Sequence, residues 1–99
     1  MKVKDMHVVV TGGSRGIGEA MAREFAARGA RVTVVARSID SLNKVAASIN
    51  GNAVVADLSD DAVVDSLISR IESEHGAIDI LVNNAGLETK DRKSTSLNS

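Results

Sequence analysis

The residues in this chain with the strongest chemical signature are glycines. Thr11-Gly12-Gly13-Ser14-Arg15-Gly16-Ile17-Gly18 follows an apolar run, Val8-Val9-Val10, and precedes an amphipathic one. A strand, a glycine-rich turn and a helix in that order make an anion site, because backbone N–H groups and a helix N-terminus converge on it. Glycine lets a phosphate oxygen approach where a Cβ would stand, and it reaches positive φ at little cost. Gly12 is expected to turn the chain sharply off the strand. Gly16 should permit close contact with a diphosphate, and Gly18 should let the helix pack tightly on the sheet. Ser14, Arg15 and Ile17 complete the loop as candidate contacts. The spacing is Gly-x3-Gly-x-Gly, not the Gly-x-Gly-x-x-Gly of other dinucleotide folds. A glycine cluster alone can equally be a tight turn, so its weight comes from its context.

That context is an alternation of short β-branched runs with longer amphipathic ones. The pattern predicts strands over His7–Thr11, Arg31–Ala36, Ala53–Ala56 and Ile78–Val82. It predicts helices over Ile17–Arg28, Ile39–Ile49 and from a cap at Ser59 or Asp60 to about His75. Their apolar stripes read Ile17, Ala20, Met21 and Phe25; then Ile39, Leu42, Val45, Ala46 and Ile49; then Val63, Leu67, Ile68 and Ile71. Gly29, Asn50-Gly51-Asn52 and Gly76 are the expected stops. Strand-helix-strand repeated three times implies an α/β fold, a doubly wound parallel sheet with right-handed crossovers.

Bulk composition removes several function classes. Ninety-nine residues with 43% apolar and 25% charged side chains suit one small globular domain. Phe25 is the single aromatic, so the core must be aliphatic. A net charge of -1 offers no footprint for nucleic acid or an anionic membrane. Without cysteine there is no disulfide, thiol nucleophile or cysteine metal site. His7 and His75 lie far apart in sequence with no ligand spacing, so a metal is not expected. No apolar stretch reaches the ~20 residues a bilayer span needs. A cytoplasmic location is the expectation.

Two further segments share the placement of the glycine loop. Asp57 follows the third predicted strand, and Asn83-Asn84-Ala85-Gly86 follows the fourth. With Thr11 to Gly18 they resemble, in order and position, the signatures of the short-chain dehydrogenase/reductase family. The resemblance covers Val3 to about Gly86. It implies a Rossmann-like sheet in the order 3-2-1-4, seen here truncated after the fourth strand. It further implies that Asp57 contacts adenine while Leu58 offers backbone contacts. Asn83 would tie the central strands together, and Asn84, Ala85 and Gly86 would line the cofactor cleft. The implied reaction is hydride transfer between a nicotinamide and a carbonyl or alcohol carbon. The family performs it with a tyrosine, a lysine four positions later, an upstream serine and a further asparagine. This chain has no tyrosine, so no catalytic residue is assigned.

The second strand speaks to the choice of cofactor. An acid about 20 positions beyond the glycines would bind the ribose 2′-hydroxyl of NAD. Here the strand ends Val34-Val35-Ala36-Arg37-Ser38, with no acid before Asp40. Ala36 leaves room for a 2′-phosphate, and Arg37 and Arg15 can clamp one with planar charged forks. NADP(H) is therefore expected over NAD(H). Two alternatives stay open: a non-catalytic nucleotide-binding module of the same fold, and a structural fragment that binds nothing. The full-length protein is expected to act on a small carbonyl or alcohol and to be a homo-oligomer. Residues 1–88 read as the front part of the nucleotide-binding domain. Residues 89–99 read as a non-native or disordered tail, because Asp91 to Ser99 resembles the translation of a sequencing adapter. Such a fragment is expected to be weakly stable and inactive alone, with an apolar edge at the fourth strand.

Overall fold

The computed structural model describes residues 2–12, 16–57 and 61–84. Its elements run β1 (His7–Thr11), α1 (Gly16–Ala27), β2 (Arg31–Ala36), α2 (Ile39–Ile49), β3 (Asn52–Val55), α3 (Asp61–His75) and β4 (Ile80–Asn83). The strands form one parallel sheet in the order β3-β2-β1-β4. This is the predicted topology. β-Branched side chains suit the pleat, and crossover helices shield both faces, which is why β1 and β2 are built mainly of valine. Among the described residues, no helix is long and apolar enough to cross a membrane.

Successive side chains alternate between two cores. Val8, Val10, Val32, Val34 and Ala36 pack with Ala22 of α1 and with Leu42, Val45 and Ala46 of α2. Val9, Val35 and Val54 pack with Leu67 and Ile71 of α3 on the other face. α1 and α3 end where glycines stand. Gly29 and Gly76 adopt φ of 90° and 98°. Their N–H groups take Ala26 O and Glu72 O, carbonyls that would otherwise be orphaned.

The helical stripes need correction. Ile17 is 67% exposed and Ala20 is also exposed, whereas Gly18 and Ala22 are buried. The face of α1 nearest the sheet carries its smallest side chains, because the backbones approach too closely for larger ones. Met21 and Phe25 flank that contact, half-buried. Ile39 is 48% exposed, so the α2 stripe begins at Leu42. Val63 and Ile68 of α3 are only partly covered.

Strand boundaries shift slightly. β3 starts at Asn52, paired with Thr33. β4 starts at Ile80, and just before it the Asp79 N–H still donates to His7 O. The Ile78 N–H donates to Glu72 Oε2, and Asp79 Oδ2 accepts the His7 N–H at 2.8 Å.

His7 is fully buried on the α3 face. Its Nδ1 lies 3.0 Å from Gly76 O, and a carbonyl can only accept, so Nδ1 carries the hydrogen. Nε2 lies 2.8 Å from Thr33 Oγ1, whose hydroxyl donates to it. His75, distant in sequence, packs edge-on against the His7 ring with centroids 6.5 Å apart. The two histidines, far apart in sequence, are therefore neighbours in the fold.

Replacing the fully buried Leu42 by alanine should cost about 2–5 kcal/mol. The same change at half-exposed Ile39 should cost well under that, near the ~0.5 kcal/mol typical of surface sites. Urea midpoints of the two variants check the corrected stripe.

Candidate functional site

All four strands are parallel, so their C-terminal ends lie along one edge of the sheet. The strand order reverses between β1 and β4, whose chain neighbours lie on opposite sides. Ligands of open α/β sheets bind at such a switch point.

Gly12 leaves β1 with φ 68°, and its N–H donates to Val35 O, continuing the ladder one residue beyond the strand. Gly16 opens α1 with φ 62° and has open space where a Cβ would be. Ile17 stands in solvent beside it. Gly18 differs: a Cβ there would fall 2.1 Å from Gly12 O and 2.6 Å from Asn84 Nδ2. No such contact can exist, so only glycine lets α1 lie against the end of β1.

Asn84, 72 positions beyond Gly12 in sequence, enters the same contact. It is 3% exposed, and its Nδ2 donates to Gly12 O at 3.3 Å. Gly12, Gly18 and Asn84 thus form one packed group. One residue earlier, the Thr11 hydroxyl lies 3.2 Å from both Val82 O and Asn83 Oδ1, joining β1 to β4 where the register pairs Thr11 with Asn83.

Arg37 and Asp57 stand further along the edge, both exposed. The Ala56 N–H donates to Ala36 O, so β2 and β3 stay paired up to the residues just before them. Ser38 begins α2 in extended conformation and makes no side-chain cap bond. The structure therefore sets Gly12, Gly16, Ile17, Gly18, Arg37, Asp57 and Asn84 along one rim, with Gly12, Gly18 and Asn84 in mutual contact. Ser14, Arg15, Leu58, Ala85 and Gly86 lie outside the described residues, as does the expected α3 cap at Ser59 or Asp60.

Sequence reasoning undervalued Thr11. It stood as the first letter of a motif, although its hydroxyl joins two strands. The available signal was a polar residue directly after a run of three valines.

The short chain dehydrogenase family profile matches residues 6–99. The chain belongs to the short-chain dehydrogenase/reductase family. Over 85 residues it is 42% identical to the 3-oxoacyl-acyl-carrier-protein reductase FabG of Escherichia coli, covering 84% of this chain and 34% of that protein. It is 43% identical over 83 residues to the 2,3-dihydro-2,3-dihydroxybenzoate dehydrogenase of Bacillus subtilis, covering 79% and 32%. Its fold matches the crystal structure of a short chain dehydrogenase from Bacillus anthracis with a TM-score of 0.74, at 34% identity, over 87% of this chain and 37% of that one. The short-chain dehydrogenase/reductase chain described here spans about a third of the length of these relatives.

Within this family member the two helix glycines separate two physical demands. Gly18→Ala forces α1 off the end of β1 and should cost several kcal/mol, beyond the ~1–3 kcal/mol usual for overpacking. Gly16→Ala meets no atom and should cost only the ~1–2 kcal/mol of a left-handed alanine. Thermal melts of the two variants, compared side by side, check the order.

Proposed function

We propose that this chain is the nucleotide-binding part of an NADP(H)-dependent oxidoreductase. The observation that carries the reading is the packed contact of Gly12, Gly18 and Asn84 at the switch point. It holds the α1 N-terminus and the ends of β1 and β4 around one rim, and a diphosphate suits a helix N-terminus with accessible amides. The open space at Gly16 fits that group, since nothing of the protein stands there.

Within this reading Gly12, Ser14, Arg15, Gly16, Ile17 and Gly18 receive the diphosphate. Asp57 and Leu58 receive the adenine, and Asn84, Ala85 and Gly86 line the nicotinamide side. Ala36 leaves the 2′ position of the ribose without a repelling carboxylate. Exposed Arg37 and the uncapped start of α2 beside it suit a 2′-phosphate. The bound dinucleotide supplies the hydride donor or acceptor.

The whole protein would then interconvert a carbonyl and an alcohol. The names of the Escherichia coli and Bacillus subtilis relatives, a reductase and a dehydrogenase, support this class. The proton-transfer residues of that reaction have no counterpart here, since the chain lacks tyrosine. Residues 1–88 are the nucleotide-binding part in this reading, and the protein works in the cytoplasm as a homo-oligomer.

Titration of the chain with NADPH and NADH, followed by nicotinamide fluorescence, tests the proposal. NADPH should bind more tightly. Arg37→Ala should weaken NADPH roughly 10–100-fold, the range for losing a hydrogen bond to a charged group, and leave NADH unchanged. Absence of saturable binding overturns the nucleotide reading. Equal affinity for the two cofactors overturns only the NADP preference. The chain alone should reduce no carbonyl compound with either cofactor.

A further inference from the structure

The C-terminal end of α2 holds a chemically reactive pair that the proposed function does not use. Asn50 takes the left-handed conformation, φ 56° and ψ 40°, and is exposed. Its N–H donates to Ala47 O, and the Gly51 N–H donates to Ala46 O at 2.8 Å. These two bonds form the cap known as a Schellman motif, with Asn50 in the position glycine usually occupies.

The glycine stands one place later for another reason. A Cβ on Gly51 would lie 2.5 Å from Val32 O, so the backbone of β2 forbids any larger residue. Packing thus fixes the glycine that follows Asn50, and the Asn-Gly pair stands at an exposed turn. Asparagine followed by glycine is the pair in which the next backbone nitrogen most readily reaches the side-chain amide, because no Cβ obstructs it.

We propose that Asn50 is a deamidation site gated by opening of the α2 cap. The Gly51 backbone nitrogen loses its proton and attacks Asn50 Cγ. The new N–C bond closes a five-membered succinimide, and the side-chain nitrogen leaves as ammonia. Water then opens the ring at one of its two carbonyls, giving aspartate or isoaspartate. Nothing is oxidised or reduced.

In the closed cap the hydrogen of the attacking nitrogen is engaged by Ala46 O and is not free to leave. The reaction therefore runs through the frayed state of the last helical turn, where local opening is least costly. The product does not restore the cap. Aspartate places a negative charge beside the C-terminal carbonyls of α2, where the helix dipole disfavours it. Isoaspartate lengthens the backbone by one carbon just before Asn52, which starts β3 in register with Thr33.

The test is incubation of the full chain in mildly alkaline buffer, with digestion and mass spectrometry of the Asn43, Asn50 and Asn52 peptides. In the folded chain Asn50 should convert roughly tenfold faster than Asn43 or Asn52, which lie inside α2 and β3, and roughly tenfold slower than in urea. Ser48→Gly, which frays the last turn, should accelerate conversion at Asn50 about threefold. Asn50→Gly keeps a left-handed cap residue and should hold its urea midpoint through an incubation that lowers the parent's. Conversion at Asn50 no faster than at Asn43, or unaltered by Ser48→Gly or by urea, overturns the proposal.

Discussion

At the rim of the sheet, α1 touches the end of β1 at a residue that has no side chain of its own. The space where Gly18 would carry a Cβ is filled by Gly12 O and Asn84 Nδ2. A missing carbon is thus the constraint that aims the helix. Because α1 begins beside Gly12, its first N–H groups, which no helical carbonyl can satisfy, belong to the rim. The same vacancy admits the Asn84 amide, so the first and last described strands are bound to the helix start through one carbonyl oxygen.

The rest of the rim follows from parallel pairing. Gly12 N–H to Val35 O and Ala56 N–H to Ala36 O extend two ladders one residue past their strands. Arg37 and Asp57 therefore leave the sheet from paired backbone, which sets where each side chain starts. Their exposure is the ordinary condition of charged groups, so it carries no weight alone. Their positions, each directly after a strand end, are what make them candidates. The two cores beneath are aliphatic and built on alternate residues, giving the rim a stiff base without a single aromatic among the fully buried side chains other than His7.

Much of this was legible in the sequence, and the reasons are local. Valine runs and glycine stops announced the strands, and alternation of short and long segments implied a parallel sheet with right-handed crossovers, while the order of its strands came from the family resemblance. The glycine stops at Gly29 and Gly76 were readable because a helix end in left-handed conformation has few suitable residues. Ile17 and Ala20 were misplaced because hydrophobic periodicity finds an apolar stripe but is blind to how near two backbones come. At Gly18 that nearness overrides side-chain hydrophobicity, leaving the isoleucine in solvent. The neighbouring histidines were illegible for a different reason: 67 intervening residues separate His7 from His75, and only the return of α3 across the sheet joins them.

β1 reads His-Val-Val-Val-Thr, and its three valines are interchangeable. A strand of identical side chains carries no information about its alignment with its neighbours: displaced by two residues, it would still present valine to both cores. That ambiguity is resolved at the strand's two ends. The His7 ring fits only where Thr33 and the Gly76 carbonyl flank it, and the Thr11 hydroxyl fits only opposite Asn83. A sliding error would bury an imidazole and a hydroxyl without partners, so two polar groups act as keys for an otherwise featureless strand. They thereby set the height at which Gly12 emerges from the sheet.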